Sequence, residues 1–462
     1  MSCAASAAAR AGSAAPASAT YSEPWRRRAS GRSFGDAVTD GSSHPWNDEE
    51  VQHQSFVARN RLAARLREAV AAWPDPLSTP VFVVDLDAFD ANAADLARRA
   101  AGTPIRVASK SVRIPSLVGR ALAADGFAGV LAYTLAEALW LVEHDVCDDI
   151  VVAYPSVDRA ALAALVASPR AASRVTIMVD DPAHLDLVDS LRASTAVPVR
   201  VALDVDAGLR WGGQAVGPKR SPLYDVGAVT ALARTVVDRP GFHLAGVMTY
   251  EGQVAGVPDS VPSRRARSAV VRKLKQLSVA QLAVRRTAIG EALDALKGYG
   301  DFAGLEFWNA GGSGSIESSA ADPVVTEVTA GSGLLAPTLF DHYQVFSPTP
   351  AAFFGLPVTR RPSAEVATVH GGGLIASGPA GADRAPTPWA PAGLHLTGLE
   401  GAGEVQTPLV GTNAGRLAIG DLVWFRHAKS GEPFEHGRSV LLLQGERFVE
   451  EVPTYRGHGL AF

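Results

Sequence analysis

The feature that most constrains the fold of this chain is a regular alternation of apolar, strand-like runs with helical segments. The runs are rich in Val and Ile and lie at about residues 105–110, 127–133, 149–154, 174–180, 197–206, 243–250, 305–309 and 324–329. Runs that are apolar throughout are typical of parallel strands covered on both faces. Only the last interval, residues 316–323, is too short for a regular helical crossover. The pattern predicts a (β/α)8 barrel, and the alternative is an open doubly wound sheet.

The regions before and after the barrel differ from it in composition. The first residues are mostly Ala, Ser and Gly, which predicts a disordered tail over residues 1–55, with a transit peptide as the alternative. A helix over 56–72 and a strand over 81–85 are predicted to open the barrel domain, residues 56–336. Thr134 and Glu137 have the spacing of a helix capping box. Residues 337–462 lack helical periodicity and predict a separate, C-terminal all-β domain.

Charge and cysteine content exclude several classes of protein. The net charge is −4 over 462 residues, which argues against a nucleic-acid-binding or membrane-surface protein. No run approaches the roughly 20 consecutive apolar residues that a membrane span needs. Cys3 and Cys147 are far apart and lack metal-binding spacing, so a disulfide scaffold is excluded and a reducing, cytoplasmic location is expected.

Lys110 is the first candidate for chemistry. It ends the strand-like run 105–109, and polar residues at strand ends converge on one mouth of a parallel barrel. A lysine at that mouth can form a Schiff base with a carbonyl compound. The alternative is an ordinary solvated lysine.

Two glycine-serine segments follow the last two predicted strands. Residues 309–315 are Asn-Ala-Gly-Gly-Ser-Gly-Ser, and residues 330–333 are Ala-Gly-Ser-Gly. Glycines allow backbone N–H groups to approach phosphate oxygens, and serine hydroxyls add donors. Ordinary tight turns are the alternative, but barrels often bind phosphate at these two loops. Together with Lys110, the segments predict a pyridoxal phosphate site.

These segments also resemble a known family. In order along the chain, residues 79–85, 108–111, 250–252, 311–314 and 330–333 resemble the alanine-racemase-type (fold type III) pyridoxal-phosphate enzymes. The resemblance covers about residues 56–460. It is closest to the D-threonine aldolase and D-serine dehydratase branch, the amino acid deaminase/aldolases, which residues 371–378 and 426–432 also resemble. It implies a lyase that acts on D-β-hydroxy amino acids, and a homodimer.

The resemblance also implies roles for individual residues. Lys110 would carry the cofactor, and Tyr250 would line it unless it is simply an aromatic at the barrel rim. Arg210 would approach the pyridine ring, although its segment is one residue shorter than in the racemases. Alternatively, Arg210 belongs to a basic loop that holds a substrate carboxylate or is solvated. The phosphate contacts would come from Gly312, Ser313, Gly314, Gly331 and Ser332.

His427 bears on a second cofactor. The resemblance implies that a C-terminal histidine and a nearby cysteine bind a divalent metal that holds the substrate's β-hydroxyl. The residue two positions after His427 is Lys429, which cannot be that ligand while charged. Glu432 is therefore predicted as the second ligand, which favours Mn²⁺ or Mg²⁺ over Zn²⁺. The alternative is a lone histidine hydrogen-bonded within the β domain.

Three functions follow from these residues. The first is a pyridoxal-phosphate lyase that uses Lys110 for β-elimination, which gives a 2-oxo acid and ammonia, or for retro-aldol cleavage, which gives glycine and an aldehyde. The second is an amino-acid racemase, which needs a second base, for which Tyr343 is the candidate. The third is a non-catalytic protein that buffers pyridoxal phosphate, which the large β domain disfavours.

Overall fold

The computed structural model describes residues 48–192, 197–429 and 431–462, and their side chains from residue 55 onward. Most of the predicted tail, residues 1–47, lies outside the described residues. The first helix begins at Asp48, so residues 48–55 are helical and continue into the helix predicted from residue 56.

The helices match the predicted crossovers and add several short turns. They are α1 (Asp48–Ala72), α2 (Leu86–Ala100), α3 (Pro115–Leu122), α4 (Leu135–Glu143), α5 (Arg159–Ala167), α6 (Pro169–Arg174), α7 (Pro182–Leu191), α8 (Val226–Val237), α9 (Gly252–Ala255), α10 (Arg265–Asp294), α11 (Ile316–Ala320) and α12 (Ser332–Leu335).

The strands divide between a barrel and a second sheet. They are β1 (Val81–Asp85), β2 (Ile105–Ala108), β3 (Phe127–Ala132), β4 (Ile150–Pro155), β5 (Val175–Val179), β6 (Val199–Asp204), β7 (Leu209–Trp211), β8 (Gln214–Val216), β9 (Phe242–Thr249), β10 (Phe307–Ala310), β11 (Glu327–Ala330), β12 (Ala352–Ser363), β13 (Val366–His370), β14 (Thr387–Ala390), β15 (His395–Leu396), β16 (Gln406–Val410), β17 (Leu422–Arg426), β18 (Ser439–Gln444) and β19 (Arg447–Pro453).

A closed parallel barrel confirms the predicted fold. Its strand order is β10-β11-β2-β3-β4-β5-β6-β9, and each of these strands overlaps one of the predicted runs. The ring closes where Val328 of β11 pairs with Ile105 of β2. The open doubly wound sheet is therefore excluded. As the short last interval indicated, only the five-residue helix α11 connects β10 to β11.

The second sheet confirms a β-rich domain but does not arise only from the C-terminal part of the chain. It has nine strands, with the path β15-β16-β13-β12-β1-β18-β19 and with β17 paired to β12 and β14. Strand β1, which the sequence analysis assigned to the barrel domain, pairs antiparallel with β12 and parallel with β18. Helix α1 packs on the same sheet, since Leu66 is fully buried in a cluster with Val83 and Trp424. The domain boundary at residues 336–337 stays a prediction.

The barrel presents the carboxyl ends of its strands to one large cavity. Residues at or just after β2, β3, β4, β6, β9, β10 and β11 line it, and so do a few residues from the part of the chain after β11. Among the described residues, none of the helices has the length and hydropathy that a membrane span requires.

Candidate active site

The cavity at the barrel mouth has a volume of about 550 Å³, a size typical of small-molecule sites. The polar residues that line it include Lys110, Ser111, Tyr133, Tyr154, Asp204, Asp206, Arg220, Ser221, Tyr250, Gln253, Asn309, Ser313, Thr329, Ser332, Arg384 and Lys429. Most of the side chains predicted for the cofactor site therefore share one cavity.

Lys110 lies in a single turn of 3-10 helix, Ser109–Ser111, immediately after β2. Its side chain is half-buried, and its Nζ atom lies 3.0 Å from the hydroxyl oxygen of Tyr154 at the end of β4. Burial raises the pKa of Tyr154, but the charge and hydrogen bond of Lys110 and the charge of Arg220 outweigh burial, so the pKa is lowered. The Tyr154 hydroxyl therefore forms a hydrogen bond with the Lys110 amine, and this bond positions the amine inside the cavity.

The two glycine-serine segments come together after β10 and β11. The Oγ atom of Ser313 accepts from the backbone N–H of Gly333 at 2.9 Å and of Gly331 at 3.4 Å, which joins the two loops. The Oγ atoms of Ser332 and Ser111 are 2.9 Å apart, so the second loop also contacts the turn that carries Lys110. Gly312, Ser313, Gly331 and Ser332 line the cavity, whereas Gly314 does not. A Cβ atom at Gly314 would lie 2.3 Å from the carbonyl oxygen of Ala255.

Close packing explains why glycine stands at residue 331. A Cβ atom there would lie 2.5 Å from the carbonyl oxygen of Ala108, and backbone atoms cannot yield as a flexible side chain can. At Gly312 a Cβ atom would lie 2.9 Å from the Cβ atom of Ala255. The loops are therefore closely packed, and they bring glycine and serine residues together at the cavity wall, a composition that suits an anionic group such as phosphate.

A buried ionic network supports the first loop from behind. The carboxylate of Glu251 accepts from the hydroxyl of Ser315 at 2.7 Å and from the N–H of Gly311 at 3.3 Å. The guanidinium of Arg286, on α10, donates to Glu251 at 3.1 Å and to Asp322 at 3.2 Å. Because these charged groups are buried, their mutual pairing is what makes their burial tolerable. The three charged side chains hold the loop in place but do not themselves line the cavity.

Aromatic and basic side chains form another wall. Burial, together with the charge of Glu251, raises the pKa of Tyr250 to about 12, so its hydroxyl stays protonated. The guanidinium of Arg220 lies 5.7 Å from the ring centre of Tyr154 and 5.8 Å from that of Tyr250. Arg220, rather than the predicted Arg210, brings a guanidinium to the cavity.

Arg210 itself lies outside the residues that line the cavity. It is on the β7–β8 hairpin, 41% exposed, and pairs with Asp206 at 2.8 Å. Its guanidinium stacks over the ring of Tyr224 at 4.3 Å. The hairpin thus directs Arg210 toward α10, where its backbone bonds with Gln281, and not toward the position implied by the resemblance.

Asp204 is a cavity residue without a predicted role. It ends β6, and its burial, with the charge of Asp180 added, raises its pKa to about 7, although Arg220 opposes the shift. A carboxyl group that titrates near neutral pH in a cavity is suited to proton transfer. The sequence contains a pattern that could have identified Asp204: an acidic residue that directly follows an apolar run at the end of a strand.

The predicted metal ligands, His427 and Glu432, do not line the large cavity but a separate small one, and Lys429 lines both. His427 is fully buried, and burial together with Arg426 lowers its pKa to about 3, so the imidazole is neutral. Its Nε2 atom has no hydrogen-bond partner among the described residues, as a free ligand atom would. Glu432 lines the same small cavity of about 10 Å³, together with Lys429 and His436.

The rest of this donor set does not fit a divalent ion. Both carboxylate oxygens of Glu432 accept from Ser377, one from its backbone N–H at 2.8 Å and the other from its hydroxyl. The ammonium of Lys429 lies beside them, 3.2 Å from the same hydroxyl. In the described ranges, no three His, Cys, Asp or Glu side chains gather as a metal site would require. A metal held by His427 and Glu432 stays a prediction.

Tyr343, the base predicted for racemisation, is not among the residues that line the cavity beside Lys110. The hydroxyl of Tyr343 donates to the carbonyl oxygen of Ala255 at 2.9 Å, and burial raises its pKa well above the usual range. Its ring packs with Phe340 and Phe346. A buried, protonated hydroxyl that is already donating is poorly suited to accept a proton.

Comparisons with known proteins agree with the fold. Residues 84–298 match the alanine racemase N-terminal domain. A D-threonine aldolase from Arthrobacter sp is 30% identical over 263 residues, which is 56% of this chain and 62% of the relative. The match thus spans about three fifths of that relative's length.

Two solved structures share the architecture over most of their length. A D-threonine aldolase from Filomicrobium marinum superposes with a TM-score of 0.66 and 20% identity, covering 83% of this chain and 96% of that one. A D-threo-3-hydroxyaspartate dehydratase from Delftia sp. gives a TM-score of 0.64 at 20% identity, covering 82% and 97%. At this identity the similarity establishes the fold, a barrel with a second β-rich domain.

Proposed function

We propose that this chain, whose residues 84–298 match the alanine racemase N-terminal domain, is a pyridoxal-phosphate-dependent lyase that acts on D-β-hydroxy amino acids. The observation that carries the proposal is a single cavity lined both by Lys110 and by the two glycine-serine loops. A D-threonine aldolase among the relatives and a dehydratase of a hydroxy amino acid among similar structures support the substrate class.

The residues present fit pyridoxal phosphate. Gly312, Ser313, Gly331 and Ser332 would hold its phosphate, because all four line the cavity that Lys110 also lines, and glycine-serine loops are typical phosphate sites. Lys110 would hold its aldehyde carbon, and Tyr250 would line its ring. When bound, this cofactor supplies an electron sink for negative charge at the α-carbon of an amino acid.

The chain's own residues would then bind the substrate and transfer protons to and from it. Tyr154 holds the amine of Lys110 by the 3.0 Å hydrogen bond, so the amine is positioned to take or return a proton at the α-carbon. Asp204, with a pKa raised to about 7, is a second group able to hold a proton near neutral pH. The guanidinium of Arg220 is available at the cavity for a substrate carboxylate.

The decisive experiment locates the cofactor and its chemistry together. We expect the purified protein to show the visible absorbance of lysine-bound pyridoxal phosphate, and borohydride reduction followed by peptide mapping to place the label on Lys110. Lys110→Ala should lose both signals, while Lys297→Ala, at an exposed lysine paired with Asp294, should keep them. A label that persists in Lys110→Ala would refute the assignment.

A screen of D- and L-amino acids, following ammonia and aldehyde together, then identifies the reaction. Ammonia without aldehyde indicates β-elimination, and glycine with aldehyde indicates retro-aldol cleavage. Racemisation without either product would favour the racemase, and inertness toward the whole panel would favour the cofactor-buffering protein. The homodimer implied by the resemblance stays a prediction that light scattering can test.

A further inference from the structure

The second-sheet side of the cavity presents two cations that the proposed chemistry does not yet use. Lys429 follows β17, and Arg384 precedes β14, and both line the cavity. Lys429 is half-buried, and its ammonium lies close enough to Lys110 and to Arg384 for their charges to oppose its own. Like charges gathered at a cavity wall oppose one another, and an anion or a hydrogen-bond acceptor bound beside them offsets that repulsion.

The position of Lys429 is fixed by a short hydrogen-bonded chain. Its Nζ atom lies 3.2 Å from the hydroxyl and 3.4 Å from the carbonyl oxygen of Ser377. Ser377 in turn donates its backbone N–H and its hydroxyl to the carboxylate of Glu432. Ser377 thus takes two of the three N–H groups of the ammonium, which leaves one donor for a group bound in the cavity that Lys429 lines.

Arg384 has a side-chain N–H group without a hydrogen-bond partner among the described residues. Its Nε atom is buried and has no hydrogen-bond partner in the described part of the chain, while its Nη1 atom pairs with the adjacent Asp383 at 2.9 Å. A guanidinium matches a carboxylate through two parallel hydrogen bonds, whereas an ammonium is a compact donor that suits a single oxygen. Arg384 and Arg220 therefore suit carboxylates, which leaves Lys429 for a hydroxyl oxygen.

From this arrangement we propose that Lys429 is the fixed cation that binds the β-hydroxyl oxygen of the substrate, so that the chain does not require a divalent metal at His427. The proposal rests on the proposed function for its substrate. Lys429 donates a hydrogen bond to the oxygen on the β-carbon, while the amino group of the substrate lies toward Lys110. The donor set around His427, with Glu432 bound to Ser377 and beside Lys429, is consistent with this division of roles.

Binding measurements on the cofactor-loaded protein test the contact directly. D-serine and D-alanine differ by the β-hydroxyl alone, and the binding of each can be followed through the cofactor absorbance. Loss of one charge-assisted hydrogen bond weakens binding by about 10- to 100-fold. Lys429→Met should therefore weaken the binding of D-serine by that factor and leave the affinity for D-alanine unchanged. Lys297→Met, at an exposed lysine, serves as the matched control and should change neither affinity.

Two results would overturn the proposal. One is an equal loss of affinity for D-serine and D-alanine in Lys429→Met at unchanged cofactor occupancy, or no loss for either. The other is a stoichiometric divalent ion, found by elemental analysis of the wild-type protein and lost in His427→Ala. Neither readout needs turnover, so an inactive but cofactor-loaded protein would refute the proposed function and still decide the role of Lys429.

Discussion

At the scale of single residues, the contact between Lys110 and Tyr154 is the most consequential in the cavity. Lys110 would otherwise be a flexible ammonium, and the hydrogen bond of 3.0 Å restricts it to the side of the cavity formed by β4. A fixed amine transfers protons more efficiently than one that samples many rotamers, because the reacting geometry is already formed.

Tyr154→Phe tests this contact. We expect cofactor binding to persist and kcat on the best substrate to fall by about 10- to 100-fold, because the amine loses its orienting partner while KM changes little. Tyr299→Phe, at an exposed tyrosine outside the cavity lining, is the control. Wild-type kcat in Tyr154→Phe would show that the hydroxyl has no part in catalysis.

Single residues also mark what a sequence can reveal about a site. Lys110 and the glycine-serine loops were predictable, because each stands at a strand end and the strands were recognised from their apolar runs. Tyr154 ends a predicted strand as well, but a single tyrosine at a strand end is common in proteins without any catalytic role, so its position alone does not indicate a function. The placement of Arg210 was not predictable, because the β7–β8 hairpin directs its side chain toward Asp206 and Tyr224.

At the scale of elements, the site depends on the two loops after β10 and β11 remaining in contact. Ser313 accepts hydrogen bonds from the second loop, and Glu251 holds the first from behind. Gly331 lies beside Ala108 at the end of β2, and a Cβ atom added to it would lie only 2.5 Å from the carbonyl oxygen of Ala108. The loops therefore have no space for added atoms.

Gly331→Ala should consequently separate the loops. We expect an overpacking cost of about 1–3 kcal/mol in the free energy of unfolding and a cofactor Kd raised by at least about tenfold. Urea unfolding and cofactor titration measure the two effects.

Gly119→Ala is the matched control for this substitution. Gly119 lies within α3 and has no atom within 4 Å of its added methyl group, so alanine should be neutral or stabilising by up to about 1 kcal/mol. Equal stability and equal cofactor affinity in both variants would mean that the loops tolerate expansion.

The elements also show where prediction from sequence stops. Every barrel strand is predictable from the sequence, because strands buried on both faces form continuous apolar runs. The helical segments between these runs separate each strand clearly from the next. Strand β1 has the same apolar character, yet it pairs with β12 and β18 in the other sheet. A strand's partners are set by contacts far along the chain, so local pattern indicates that β1 is a strand but not the sheet to which it belongs.

At the scale of the whole molecule, the C-terminal segment is tied back onto the barrel. The hydroxyl of Tyr455 donates to Glu137 of α4, which also accepts from the backbone N–H of Tyr133 at 2.8 Å. The predicted capping box is present in part, since Thr134 Oγ1 accepts from Glu137 N at 3.1 Å. The carboxylate, however, serves a long-range contact that no local pattern could indicate.

Glu137 should make the stability of the whole chain depend on pH. Burial raises its pKa from 4.5 to about 7, although hydrogen bonds from Tyr455 and others oppose the shift. Between these values the folded chain binds more protons than the unfolded one, so the free energy of unfolding falls as pH rises. The protonated carboxyl contributes up to roughly 3 kcal/mol to the free energy of unfolding. This contribution is fully present below about pH 4.5 and is lost as the pH rises through about 7.

Glu137→Gln isolates this effect, because the amide stays neutral at every pH and can still accept from Tyr133 and donate to Tyr455. Urea unfolding at pH 5 and pH 8 should show a smaller loss of stability with pH in Glu137→Gln than in the wild type. Asp204, whose pKa is also raised to about 7, contributes in the same direction but equally to both proteins, so the difference reports Glu137 alone. Glu291→Gln, at an exposed glutamate on α10, should retain the wild-type slope. Identical slopes in wild type and Glu137→Gln would mean that the carboxyl is already ionised at pH 5, and that Tyr455 donates to a charged carboxylate at both pH values.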